Sequence, residues 1–253
     1  MNLLGSLVIA FSMYSRIPMP KVSWSQERMK YALCFFPLIG LVMGICLWLW
    51  GQVSEAVNLG PLAYAAGGTV LPLVITGGIH MDGFLDVSDA RSSYGEKEKK
   101  LEILKDPHIG AFAMIKGSVY LLTYLAVFSE LPVRLLPVVG GVYVLTRAMS
   151  GLSVVVFPKA KKEGLAASFS HGARQKAVMA SMLCYIVVSV GFLASYGGWR
   201  IAGAAVCCCV LVFGGYYRTA CREFGGMTGD LAGWFLQIEE LALVAVTAVM
   251  SRV

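Results

Sequence analysis

Charge is what this sequence has least of. Only 14% of its 253 residues are Asp, Glu, Lys or Arg, against about 25% in a typical soluble domain. With 57% hydrophobic residues and a mean hydropathy of +0.71, a water-soluble globule is excluded. The length is spent instead on apolar spans of about 20 residues each. No linker rich in Pro, Gly or Ser divides the chain and no convincing internal repeat is found. One integral-membrane domain over 1–253 is therefore expected. Histidine is scarce, with three residues, and none forms a His-x-x-x-His or Cys/His pattern, which argues against zinc. The seven cysteines are odd in number and lie mostly in apolar runs without Cys-x-x-Cys spacing, so they read as small apolar residues. The basic residues are scattered and lack an aromatic platform, which argues against a nucleic-acid partner. The apolar segment 1–15 lacks a basic lead-in and a convincing cleavage site, so it reads as an interfacial or re-entrant helix.

What is present is a series of apolar runs. They predict an all-α polytopic transmembrane bundle of seven spans, at about 33–50, 62–76, 109–128, 133–157, 177–196, 201–217 and 231–250. Loops 16–30, 82–116, 158–176 and 218–230 hold 17 of the 21 Lys and Arg residues. The positive-inside rule then puts those loops in the cytoplasm. Seven spans leave the C-terminus outside. The net charge of +6 fits anchoring on the cytoplasmic side and attraction to anionic substrates.

The chemistry concentrates in Gly77-Gly78-Ile79-His80-Met81-Asp82-Gly83-Phe84-Leu85-Asp86-Val87-Ser88-Asp89-Ala90-Arg91. Seven of the fifteen acidic residues lie between Asp82 and Asp106. On a helix, Asp82, Asp86 and Asp89 fall within roughly 60° of one face. Like charges so placed repel one another, and a divalent cation would offset the repulsion; hard carboxylate oxygens suit Mg²⁺ shared with substrate phosphates. The competing reading is a solvated acidic face. Carboxylates at the end of a membrane span, however, are costly and tend to be functional.

Other residues carry two readings each. Asp106 precedes Pro107, which disfavours helix; it fits a metal ligand, a general base or a helix cap. Lys97, Lys99 and Lys100 read as a solvated basic run. His80, beside Asp82, fits a satisfied interfacial group or a substrate contact, and His171 is similar. Arg147 lies deep in a span, where its charge needs a partner; it fits a structural ion pair or a phosphate clamp. Arg218 and Arg222 precede the turn Gly225-Gly226-Met227-Thr228-Gly229-Asp230. Exposed amides at the following helix N-terminus suit an anion. Asp230 reads as a helix cap or a metal ligand, and Glu239 and Glu240 form an unusual carboxylate pair inside a span.

These residues resemble the cobalamin synthase family, the adenosylcobinamide-GDP ribazoletransferases. The stretch from Gly77 to Ala90 looks like the family's G-G-x-H-x-D-G-x-x-D-x-x-D-A, and Lys105-Asp106-Pro107-His108-Ile109-Gly110-Ala111-Phe112 resembles a second block. Phe157-Pro158, Glu163-Gly164-Leu165 and the Gly225–Asp230 turn echo it in family order. One departure is Arg91-Ser92-Ser93-Tyr94, where a small, glycine-rich stretch is expected. The resemblance implies a Mg²⁺-dependent enzyme of the bacterial cytoplasmic membrane. It implies that adenosylcobinamide-GDP is joined to α-ribazole or its 5′-phosphate, with GMP leaving. Asp82, Asp86 and Asp89 are then expected as metal ligands, and Asp106 as ligand or base. His80, Lys105, Arg147, Arg218, Arg222, Asp230 and Glu240 are expected on the substrate side. The lipid bilayer is a partner, and a homo-oligomer is left open.

Two other readings are weighed. Asp86-Val87-Ser88-Asp89-Ala90-Arg91 partly echoes the CDP-alcohol phosphatidyltransferases, but Gly does not follow the second Asp and the downstream acidic pair is missing. A transporter would show polar or broken spans in paired halves, and no such symmetry is found.

Overall fold

The computed structural model describes residues 3–160 and 175–252. Its helices are α1 Leu3–Tyr14, α2 Gln26–Met29, α3 Phe36–Ala56, α4 Pro61–Thr76, α5 Ile79–Ser92 and α6 Lys97–Ile103. They continue with α7 Ala111–Ser129, α8 Leu136–Val156, α9 Gln175–Gly197, α10 Trp199–Glu223 and α11 Gly229–Met250. Among the described residues no strand forms beyond a parallel bridge between Lys159 and Met227. The expected all-α bundle is therefore the observed one.

Among the described residues six helices are long and apolar enough to cross a membrane, namely α3, α7, α8, α9, α10 and α11. The remaining expected span, 62–76, is α4, which has 16 residues and reaches about 24 Å at 1.5 Å per residue. It is bent by 95° from α5. The bend sits at Gly77 and Gly78, with φ of 65° and 77°. That left-handed pair is favourable for glycine and strained for other residues. It closes α4 with an N–H of Gly78 donating to the Leu73 carbonyl at 3.0 Å, as in a Schellman ending. If α4 runs along the membrane normal, α5 lies near the membrane plane, outside the spans.

α8 is the central pillar and packs against α3, α9 and α11. Its approach to α3 is close because glycine meets glycine: a Cβ on Gly44 would lie 2.6 Å from the Gly140 Cα. Small residues allow such contacts where no hydrophobic force separates helix from lipid. Large apolar side chains such as Leu122, Val187 and Leu211 face outward, as a bilayer-facing surface requires. α1, with 12 residues, is too short to span and tucks against the start of α3.

Two boundaries differ from the sequence reading. The polar stretch 82–107 is two helices, and the first opens at Ile79, so His80 is part of the acidic helix. The span expected to stop at 217 continues to Glu223, because Tyr216, Ala220 and their neighbours keep one buried face. Arg218 and Arg222 therefore sit on a helix, not in a loop. His171 and Glu163-Gly164-Leu165 lie outside the described residues.

Candidate functional site

α5 divides into two faces. His80, Gly83, Phe84, Val87, Ser88 and Ala90 are buried. Asp82, Asp86 and Asp89 take the other side, with Asp82 exposed and the other two half-buried. The packed face lies against α11. A Cβ on Gly83 would stand 2.7 Å from the backbone oxygen of Asp230 and 3.0 Å from its Cα. Glycine at that crossing lets the first turn of α11 touch the acidic helix and delivers Asp230 to the carboxylates.

A second helix N-terminus arrives beside it. A side chain at Gly110, the residue before α7, would collide with the Asp89 carboxylate. The start of α11 is capped by Thr228, whose Oγ1 accepts from the Leu231 N–H at 3.2 Å. Helix N-termini carry partial positive charge, so both favour the negative charge gathered between them. The balance still leaves excess negative charge. The Asp86 carboxyl is pushed up to about 6, first by burial and then by Asp82, Asp230 and Asp89. Every charge acting on it in that set is another carboxylate.

Among the described residues no three His, Cys, Asp or Glu side chains converge as a ready-made metal cage. Mg²⁺ differs from Ca²⁺ or Zn²⁺ in this respect: it is held by one or two carboxylates, with substrate phosphates and waters completing the octahedron. The hard, mutually repelling oxygens of Asp82, Asp86, Asp89 and Asp230 fit that open mode.

The remaining expected residues fall into two groups. His80, Arg147 and Glu240 are interior. The His80 ring lies 6.3 Å from Tyr14 and 5.6 Å from Phe36, turned away from the carboxylates. Arg147 Nη1 donates to Glu240 Oε2 at 3.0 Å and to the Tyr143 carbonyl at 3.0 Å. The two side chains are 1% and 2% exposed. Of the two readings for Arg147, the ion pair is the one the packing uses; a phosphate clamp would need access that this burial removes. Glu239 is also fully buried, beside Cys209.

Asp106, Lys105, Arg218 and Arg222 are exposed. Asp106 accepts from the backbone N–H of His108 at 3.0 Å and meets its Nδ1 at 2.7 Å. These bonds, the backbone one first, hold its carboxyl below the usual range. It forms a local turn and is not among the carboxylates acting on Asp86. The side chains of Lys105, Arg218 and Arg222 make no hydrogen bond or ion pair among the described residues.

Glu223 was not anticipated. Arg91 grips it with two bonds of 3.1 and 2.9 Å, and Lys100 adds one at 2.9 Å. This triad ties α5 and α6 to the end of α10. Lys100 is only 12% exposed, so the solvated reading of the basic run fails for this residue. The partners lie 132 and 123 residues apart, and no local pattern signals the pairing. The sequence echoes at Phe157-Pro158 and Gly225–Asp230 also meet: the Met227 N–H donates to the Pro158 carbonyl at 2.8 Å, and the Ala160 N–H to the Met227 carbonyl at 3.1 Å. The α8 exit thereby fixes the turn that starts α11.

Fold and site define a polytopic membrane protein with a carboxylate cluster where a bent polar helix meets two helix N-termini. The sequence profile of the family described as Cobalamin-5-phosphate synthase matches residues 6–248, and the chain belongs to that family. A relative from Lachnoclostridium phytofermentans, named adenosylcobinamide-GDP ribazoletransferase, is 46% identical over 93% of this chain and 90% of its own length. Relatives of the same name from Clostridium botulinum strain Alaska E43 and Desulfitobacterium hafniense are 32% and 31% identical, each covering over nine-tenths of both chains. No solved structure matches.

Proposed function

We propose that this chain catalyses the reaction named for its relatives, joining adenosylcobinamide-GDP to α-ribazole or its 5′-phosphate. The observation that carries the residue assignment is the meeting of Asp82, Asp86, Asp89 and Asp230 at the starts of α7 and α11. A hydroxyl oxygen of the ribazole ribose bonds to the phosphorus that carries cobinamide. The bond from that phosphorus to the GMP oxygen breaks, GMP leaves with the electron pair, and the hydroxyl proton passes to a base. Such transfers need positioning and neutralisation of charge more than covalent help from the protein.

One or two of Asp82, Asp86 and Asp89 would hold Mg²⁺, with Asp230 beside them and substrate phosphates and waters completing its coordination. Bound there, the ion would supply neutralisation of the diphosphate charge. The chain's own part is to keep the acidic face of α5 rigid against α11 and to present it at the membrane surface. Arg218, Arg222 and Lys105 are solvent-facing cations available to substrate phosphates. Asp106 offers a surface carboxylate whose low proton affinity makes it a weak base. The positive-inside distribution supports a cytoplasmic position for this face in a bacterial cell, where nucleotides are found.

The test uses the full-length chain in phosphatidylcholine vesicles, with adenosylcobinamide-GDP, α-ribazole and Mg²⁺, and products read by mass spectrometry. GMP and a completed cobalamin are expected, with loss of both on chelation or in Asp82→Asn while the protein stays inserted. Release of CMP from a CDP-lipid instead would move the chain to the phosphatidyltransferase reading. Near-normal GMP release by Asp82→Asn would remove Asp82 from the site.

A further inference from the structure

On the other side of α5 from the carboxylates, a groove of about 570 Å³ runs between α5, α7 and α11. α7 and α11 both begin at α5 and run away from it, so their groove-lining residues descend together. Val119, Thr123 and Val127 on α7 face Ile238, Ala242 and Ala245 on α11. From Lys116 to Val127 the wall is about 16 Å long at 1.5 Å per residue. That is close to half of the ~30 Å hydrocarbon core, the depth of a single leaflet.

The mouth of the groove is cationic. Arg91 and Lys116 line it, and the Arg91 guanidinium also lies 5.2 Å from the Trp234 ring. Glu223 takes the charge of Arg91 and shares it with Lys100. Lys116 is different. Its Nζ donates to the Ser88 carbonyl at 3.2 Å and to Ser92 Oγ at 2.7 Å, both neutral. No carboxylate pairs with it among the described residues. A lone ammonium at the head of an apolar, leaflet-deep groove asks for an anion carried on a hydrocarbon chain.

We propose that this groove binds one anionic phospholipid from the leaflet on the α5 side. Its phosphate sits at Lys116, and one acyl chain lies between α7 and α11. A second copy of the chain fits less well, because an apolar helix in the groove would bury the Lys116 charge without a partner. A zwitterionic lipid fits less well too, since its own ammonium already answers its phosphate. The site stands independently of the transferase reading and would remain if that reading failed.

The test uses the full chain in phosphatidylcholine vesicles that carry a minor fraction of lipid brominated along its chains. Bromine quenches nearby tryptophan, and Trp234 lines the groove; Trp234→Phe defines the signal from the other four tryptophans. Brominated phosphatidylglycerol is expected to quench Trp234 at a lower mole fraction than brominated phosphatidylcholine. Lys116→Gln should weaken that preference roughly fivefold, the size of one basic group near an anionic surface, ~1 kcal/mol, and Lys116→Arg should keep it. Ala242→Phe, which fills the groove and leaves the charge, should abolish Trp234 quenching. Equal quenching by the two headgroups in the wild type overturns the proposal and needs no variant to fold. So does a preference that survives Lys116→Gln, or an unquenched Trp234 in a chain that cross-links to a second copy.

Discussion

Arg147 on α8 and Glu240 on α11 share an ion pair at 3.0 Å in the interior of the bundle. Removing one partner leaves the other charge uncompensated in a dry interior, at a cost of about 3–5 kcal/mol. Glu240→Gln and Arg147→Met should each lower the thermal unfolding midpoint in detergent markedly. The double variant Arg147→Met with Glu240→Leu should recover much of the loss. A double variant that is stable yet has lost all affinity for substrate would instead return Arg147 to the substrate side.

Gly83 sets the distance between α5 and α11. Gly83→Ala places a methyl group 2.7 Å from the Asp230 oxygen, and such overpacking costs typically 1–3 kcal/mol. The helices must move apart, carrying Asp230 away from Asp86. GMP release should fall by more than the loss of folded protein explains. Full activity in a well-folded Gly83→Ala chain would show that this contact does not set the site.

The Asp86 carboxyl, raised to about 6, stands above its unfolded value near 3.9. Between about pH 4 and 6 the folded chain therefore holds more protons than the unfolded one, and stability without metal falls as pH rises through that window. Above it the loss is complete and the curve is flat in this group. A divalent cation bound at the carboxylates needs them ionised, so Mg²⁺ stabilisation should grow as pH rises through about 6. Thermal midpoints with and without Mg²⁺ across that range check both signs. Asp86→Asn should flatten the metal-free part.

Glu223 joins Arg91 and Lys100 across α5, α6 and α10. The pairs are partly exposed, so screening by water holds their worth to about 1 kcal/mol. Glu223→Gln should barely change the global midpoint. It should raise hydrogen exchange in α6 and make the α5 end more salt-sensitive. Unchanged exchange in α6 would show that the triad does not hold it.

Composition alone dictated a membrane bundle, because apolar spans can hide their backbone polar groups in lipid only as helices. The spacing of Asp82, Asp86 and Asp89 was equally legible, since a helix repeats its faces locally and α5 is a helix. Distances across the chain were not legible. Arg147 had two open readings until α8 met α11 and gave it Glu240. Asp106 had three open readings, as ligand, base or cap, until its turn bound His108. Asp230 joined the carboxylates only because Gly83 permits a close crossing, and Glu223 gained its two cations from segments over a hundred residues away. Local periodicity is written in neighbouring residues, whereas partners are chosen by how helices pack, which depends on the shape of the whole bundle.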